Sequence, residues 1–375
     1  MGNMISFLAA IQVPELNWIG QLVAGLYGLI GNYGWTVVVF TIILKIITLP
    51  LDFWQRSSSK KNQLKMQQMQ PMLEKIDKAY GANRKGAQQE KQKLMKKFGY
   101  SMFSSCLPTL VTLVVFIFMF SGLTSYSSHA NVKEYNALVE SYRSNIIIEV
   151  ENRDCFDVDE SLIAVATSGN WTEETEQMYV VDFTNSFKSL SPEQQSEIIE
   201  TVKPKVAEFA EENRESFLWI KNIWRPDTWA SVMPSYDEFK NGALGIQGID
   251  GAIKTEYEVI YEAVSEYAGG YAEAAWNGLL ILPILSILLS IVSTKLAQKA
   301  QPSNDPQTQA STKMMTLMMP LVMSIFILMY TAALGVYIVA NSILAIISTL
   351  VLTPIINKKY KDKEVNIVNK ASYRR

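Results

Sequence analysis

GWTVVVFTIILKIITLPL, residues 34–51, governs how the rest of the chain is read. It approaches the roughly 20 apolar residues that cross a bilayer, yet it carries one charge, Lys45. A lone cation at membrane depth costs roughly 2.5–3.5 kcal/mol on insertion scales. Lys45 therefore faces a wet cavity, pairs with another group, or snorkels along its flexible stem to the surface. At helical spacing Thr41, Lys45, Thr48 and Asp52 share a face, and the other faces are Val, Ile, Leu and Phe. The span has one polar stripe with a cation in it.

Four further runs read the same way. The 375 residues are 49% hydrophobic, and the apolar residues are strongly segregated. The expected fold is an all-α polytopic membrane protein with five transmembrane helices, at 33–52, 104–124, 275–294, 314–334 and 335–354. Net charge is −2, but it too is segregated. Arg56 to Lys97 holds 12 Lys/Arg against three acids, and the tail after Thr353 holds seven against two. Tyr126 to Glu273 reverses this, with 11 basic and 28 acidic residues. Basic short loops stay in the cytoplasm. The expected topology has the N-terminus outside and the C-terminus in the cytoplasm, and it places Lys45 about 10 Å from the cytoplasmic end of its span.

Residues 1–32 are read as an extracytoplasmic N-terminus with an amphipathic interfacial helix at Pro14 to Ile30. Residues 53–103 read as a cytoplasmic basic helical hairpin, broken at Gly81 to Gly86, with a thin methionine-rich seam (Met69, Met72, Leu73, Ile76, Tyr80). Such a seam suits a mobile, adaptable element; anionic lipid headgroups explain its charge equally well. Residues 125–274 read as an extracytoplasmic acidic helical region. Within it Ser191-Pro192 marks a helix start. The tryptophans of FLWIKNIWRPDTW, 217–229, with Lys221 and Arg225, suit an interfacial anchor. A cytoplasmic loop at 295–313, a tight joint at Leu334-Gly335 and a basic tail at 355–375 complete the map.

Each span also has a polar stripe: Ser105, Thr109 and Thr112; Ser286, Ser290, Ser293 and Thr294; Tyr337, Asn341 and Ser348. Buried hydroxyls often just pack helices or bond their own backbone. Several converging near Lys45 would line a polar groove.

The topology puts Cys106 and Cys155 on opposite sides, which excludes a disulfide between them. A single histidine, His129, makes no metal site. With no nucleophile–base set either, an enzyme is the least favoured class, and no cofactor is expected. A small-solute transporter or channel, or a sensor anchored by its spans, are the competing classes. No repeat between halves and no deep carboxylate support the first, and a charged, striped span argues against mere anchoring.

In order along the chain stand GWT…TIILKIITLPL, the hairpin QRSSSKKNQLKMQQMQPMLEKI, CLPTL, FLWIKNIWRPDTW, the loop QPSNDPQT and the pair KMMTLMMPLVMSIFILMYTAALGVYIVANSI. This series resembles the YidC/Oxa/Alb family of membrane protein insertases, over roughly 14–124 and 216–353. The resemblance implies five transmembrane helices around a positively charged hydrophilic groove, open to the cytoplasm and sealed outside. It implies insertion and folding of newly made membrane proteins in the bacterial plasma membrane, alone or beside the Sec translocon. Lys45 occupies the place where the family normally has arginine; the charge stays and the planar fork is lost. Thr112 stands where glutamine is frequent, and Ser293-Thr294 where a glutamine pair is. The groove lining is expected at Lys45, Thr41, Thr48, Thr109, Thr112, Ser286, Ser290, Ser293, Tyr337 and Asn341. Residues near 128–215 look inserted relative to the family. Nascent membrane proteins and lipid are the expected partners, with the ribosome or anionic lipid at the basic tail.

Overall fold

The structure, a computed structural model, describes residues 11–81, 83–100, 103–153, 187–242, 248–249, 251–266, 276–300, 318 and 321–372. Among them the named elements are all helices: α1 (Trp18–Ile30), α2 (Tyr33–Tyr80), α3 (Arg84–Lys97), α4 (Phe103–Asn152), α5 (Pro192–Asn213), α6 (Tyr236–Asn241), α7 (Lys254–Glu266), α8 (Ile281–Ala300) and α9 (Ala332–Ser372). A further helical run occupies 321–329. Among the described residues three helices, α2, α8 and α9, are long and apolar enough to cross a bilayer, which makes this a multi-pass membrane protein. The expected span at 104–124 lies within α4, and the one at 314–334 falls partly outside the described residues.

The helices run further than the spans. α2 continues through Pro50 and Pro71. A proline removes one intrahelical bond, and the Gln-, Lys- and Met-rich stretch beyond Pro50 favours helix. It stops at Gly81, whose φ of 47° suits glycine. Asn83 then caps α3, its side chain accepting from the Gly86 amide at 3.1 Å. α9 likewise passes through Pro354 to Ser372, and α4 runs for 50 residues.

The chain forms two compact units. The first comprises Met1–Thr36, Ser121–Leu282 and Ile327–Gly335. Its core is a helical bundle. Val132, Tyr135, Val139, Tyr142, Ile146 and Val150 make one stripe of α4. They pack with Ile198, Val202 and Val206 of α5, Phe239 of α6, and Tyr257, Ile260 and Val264 of α7. Tyr135 lies 5.2 Å from the Tyr257 ring and 5.0 Å from Phe239. Arg143 clamps Glu256 with two hydrogen bonds, 2.6 and 2.8 Å. The bundle therefore takes in residues well beyond the 128–215 stretch expected as inserted. α5 begins with a capping box between Ser191 and Gln194, with Pro192 at its first position.

Residues 217–231 fold as a knitted loop rather than a simple surface anchor. Phe217 and Ile220 exchange backbone hydrogen bonds at 2.9 Å. Ile223, Trp224 and Arg225 are buried, and Trp224 lies 4.4 Å from the Tyr33 ring; Trp229, by contrast, is 60% exposed. Asn277 accepts from the Asn222 amide and donates to the carbonyls of Arg225 and Pro226. Asp227, fully buried, accepts from the amides of Leu279 and Leu282 and from Trp219 Nε1. It thereby satisfies orphan donors at the start of α8. A bridge between Ser231 and Trp276 closes the loop where the chain returns.

The start of α9 differs from the expected joint at Leu334-Gly335. The chain turns at Tyr330-Thr331 and is helical from Ala332. The amides of Ala332 and Ala333 donate to the carbonyls of Arg225 and Ile223, so the loop satisfies the first turn. Gly335 is there for packing, since a Cβ would meet Leu282 at 2.9 Å and Ile327 at 3.1 Å.

The second unit comprises Val37–Phe120, Pro283–Phe326 and Val336–Arg375. Phe53 and Leu64 of α2 pack with Leu352, Ile356 and Tyr360 of α9. Ser57 and Tyr360 hydroxyls lie 3.0 Å apart, and Lys359 sits 5.4 Å from the Phe53 ring centroid. Within the hairpin of α2 and α3, Lys91 pairs with Asp77 at 2.6 Å.

Candidate functional site: a charged cavity beside α2

A cavity of about 220 Å³ opens in the second unit. α2 supplies one wall with Thr41, Lys45, Thr48, Asp52 and Arg56, and α9 another with Tyr337, Asn341 and Ala345; Val115 of α4 adds an apolar contact. The polar α2 residues follow from helical spacing. The stripe read from Thr41 to Asp52 extends one more turn, to Arg56.

Lys45 neither stands alone nor simply snorkels. Its Nζ donates to Asp52 Oδ2 at 2.5 Å, with the two side chains 18% and 22% exposed. The residues are seven apart, about 10 Å along the axis, so the lysine extends along the helix to reach its partner. Ser348 Oγ of α9 donates to the same carboxylate oxygen at 3.4 Å. Arg56 Nη2 donates to Thr349 Oγ1 at 2.9 Å. Two cations and one anion thus line the cavity, a net of +1 from these three. At partial burial such charges are screened less than on an open surface.

The threonines play a quieter part. Thr41 Oγ1 donates to the Val37 carbonyl at 2.6 Å and Thr48 Oγ1 to the Lys45 carbonyl at 3.2 Å. They bond their own helix and present their remaining lone pairs. Tyr337 faces Phe116 with ring centroids 6.5 Å apart.

Of the expected groove residues, Lys45, Thr41, Thr48, Tyr337 and Asn341 come together in this cavity. The α8 serines do not line it. Ser286 is buried and donates to the Pro283 carbonyl at 2.8 Å. Ser290 lies 3.4 Å from the Ser342 hydroxyl, a packing contact between α8 and α9. Ser293 is half-buried on α8. The side chains of Thr109 and Thr112 lie outside the described residues. Asp52 stood on the sequence-derived face without a role, and Arg56 was not placed there. Continuing the i, i+4 count one step would have found it.

Residues 25–363 match the family described as 60Kd inner membrane protein. Among curated proteins, the chain is 32% identical over 109 residues to "Membrane protein insertase YidC" of Caldanaerobacter subterraneus, covering 29% of this chain and 51% of that one. It is 35% identical over 105 residues to the YidC of Oleidesulfovibrio alaskensis, 27% of this chain and 19% of the other. To "Inner membrane protein PPF-1, chloroplastic" of Pisum sativum it is 32% identical over 103 residues, 28% and 22%. The chain thus spans about half the length of the first of these relatives and about a fifth of the others.

Proposed function

This chain belongs to the 60Kd inner membrane protein family, and from that premise we propose that it is a membrane protein insertase. The observation that carries the reading is a cavity with net positive charge in the wall of an apolar helix: Lys45, Asp52 and Arg56 beside Tyr337 and Asn341. The relatives named as insertases support the same assignment.

In this reading five transmembrane helices surround the cavity, the N-terminus lies outside and the C-terminus in the cytoplasm of a bacterial cell. A polar or acidic segment of a newly made membrane protein leaves the cytoplasm through the cavity, which shortens its path through hydrocarbon. Lys45 and Arg56 attract its carboxylates, and its apolar part passes between helices into lipid, driven by burial. Ser286, Ser290 and Ser293 border that path rather than its charged centre, and Thr109 and Thr112 belong to the groove by the sequence pattern alone. The hairpin of α2 and α3 receives the segment. The basic end of α9 meets the ribosome or anionic lipid, and the protein works alone or beside the Sec translocon. α1 lies on the outer leaflet, with Trp18, Leu22 and Leu29 exposed. No step calls for a cofactor or covalent catalysis.

The test is complementation. Wild type, Lys45→Ala, Lys45→Arg and Lys45→Glu are expressed in cells depleted of their own insertase, and insertion of a small, acidic-tailed membrane protein is scored. Wild type and Lys45→Arg are expected to restore insertion, Lys45→Ala to restore it weakly and Lys45→Glu least. Failure of wild type would sink the assignment. Full rescue by Lys45→Ala would remove the cation from the mechanism. An ion-flux dye in proteoliposomes separates an insertase from a channel.

A further inference from the structure

We propose that Asp52 is the resident counter-ion of this cavity, a specificity-determining residue that occupies Lys45 until a substrate carboxylate displaces it. The proposal deepens the insertase reading and rests on it.

Lys45 and Asp52 meet at 2.5 Å, and both are about four-fifths buried. They belong to one helix, seven residues apart, so the pairing does not depend on another helix holding its position. Ser348 of α9 steadies the same carboxylate oxygen. Arg56, one turn further on, takes Thr349 as partner instead, and lines the same cavity.

The pairing has a consequence for selection. Separating a partly buried ion pair leaves each charge uncompensated, which is costly. A neutral amide or hydroxyl arriving from the substrate cannot replace the lost carboxylate like for like. A substrate carboxylate can. Arg56 gives the incoming anion a first foothold, since its guanidinium donates to the neutral Thr349 hydroxyl and feels Asp52 only through space. Asp52, freed, is left with Ser348. When the apolar part of the substrate moves into lipid, Asp52 recaptures Lys45 and the substrate carboxylate is expelled. The residue thus sets an entry threshold and also drives release. Hydrophobic content alone explains neither, because every group involved is polar.

The experiment uses the full chain in membrane vesicles from cells depleted of their own insertase. A photo-crosslinking residue replaces Ala345, which lines the cavity and carries no charge. The probe is a single-span protein with one aspartate in its translocated tail, compared with the same protein carrying asparagine. Asp52→Asn removes the competitor with little change of shape. It is expected to raise the crosslink yield of the aspartate substrate by about threefold or more, and to prolong the crosslinked state. The asparagine substrate should change by less than about twofold, and Asp52→Glu should behave as wild type. Asp52→Ser is read in parallel, so that if one variant misfolds the other decides. Unchanged or reduced yield for the aspartate substrate in the folded variants overturns the role of Asp52. Insertion is scored in the same vesicles. If wild type inserts neither substrate, the insertase reading fails and this proposal goes with it. If wild type inserts while the crosslink yields are insensitive to Asp52, only the counter-ion falls.

Discussion

Replacing Asp227 by asparagine should loosen the first unit far more than a one-atom change suggests. The carboxylate is fully buried. Its Oδ1 accepts from the Leu279 amide at 2.8 Å, and its Oδ2 from the Leu282 amide at 2.6 Å and Trp219 Nε1 at 3.2 Å. An asparagine can present only one oxygen. In its better orientation it keeps the two bonds of Oδ2 and turns an NH₂ toward the Leu279 amide. One buried donor is then orphaned, at about 1–3 kcal/mol. The two surviving bonds lose their charge assistance, and the anion no longer faces the start of α8. The sum is about 2–4 kcal/mol. Thermal unfolding in detergent, followed by tryptophan fluorescence, reads it through Trp219 and Trp224. Gly278 offers an independent route to the same contact, because a Cβ there would lie 1.9 Å from Asp227 Oδ1. Gly278→Ala should therefore destabilise by a similar amount, and the double variant by clearly less than the sum, as for residues acting through one contact. If Asp227→Asn melts within about 1 °C of wild type, or if the two changes add in full, the reasoning is wrong.

The cavity wall of the first unit holds Glu134. Burial raises its carboxyl to about 7, against the opposing effects of Arg214 and the Asn222 hydrogen bond. A raised pKa means the folded state keeps the proton longer. Its favourable contribution is whole below the ordinary value of 4.5 and is lost as pH rises through about 7. Glu134→Gln should flatten that fall and stabilise the protein at pH 8 by ~1–3 kcal/mol, measured as melting temperature against pH. Gly34→Ala should destabilise by about 1–3 kcal/mol, since a Cβ would lie 2.0 Å from the Phe217 ring; Phe217→Leu in the same chain should recover part of the loss in a melt. Arg143→Ala breaks the two-bond clamp on Glu256 and should cost about 1–3 kcal/mol, seen as faster proteolysis of residues 187–266.

Much of the site was legible as periodicity. The stripe from Thr41 to Asp52 needs only the 3.6-residue repeat, and Tyr337 with Asn341 repeats the pattern on α9. Serines on α8 fit an equally good stripe, but Ser286 bonds its own backbone and Ser290 meets Ser342. A hydroxyl carries too little charge for its pattern to say whether it faces water, a neighbouring helix or its own carbonyl. FLWIKNIWRPDTW misled for a related reason. Tryptophans next to cations suit an interface, yet Trp224 and Arg225 are buried because Asn222, Asp227 and Asn277 satisfy the loop's polar groups. Those partners lie up to 55 residues apart, beyond any local pattern.

Segregation of apolar and charged residues by itself determined that this chain is helical and crosses a membrane, since each property is local and summed over one span. The long continuations of α2, α4 and α9 were less evident, because a proline or a change of polarity marks the end of a span without ending a helix. Only the tertiary structure decided which polar residues share a cavity, and that Lys45 is held by Asp52. The physical reason is that a cation's cost in an apolar helix says only that a partner is needed, whereas the partner's identity depends on which side chains reach the same few ångströms.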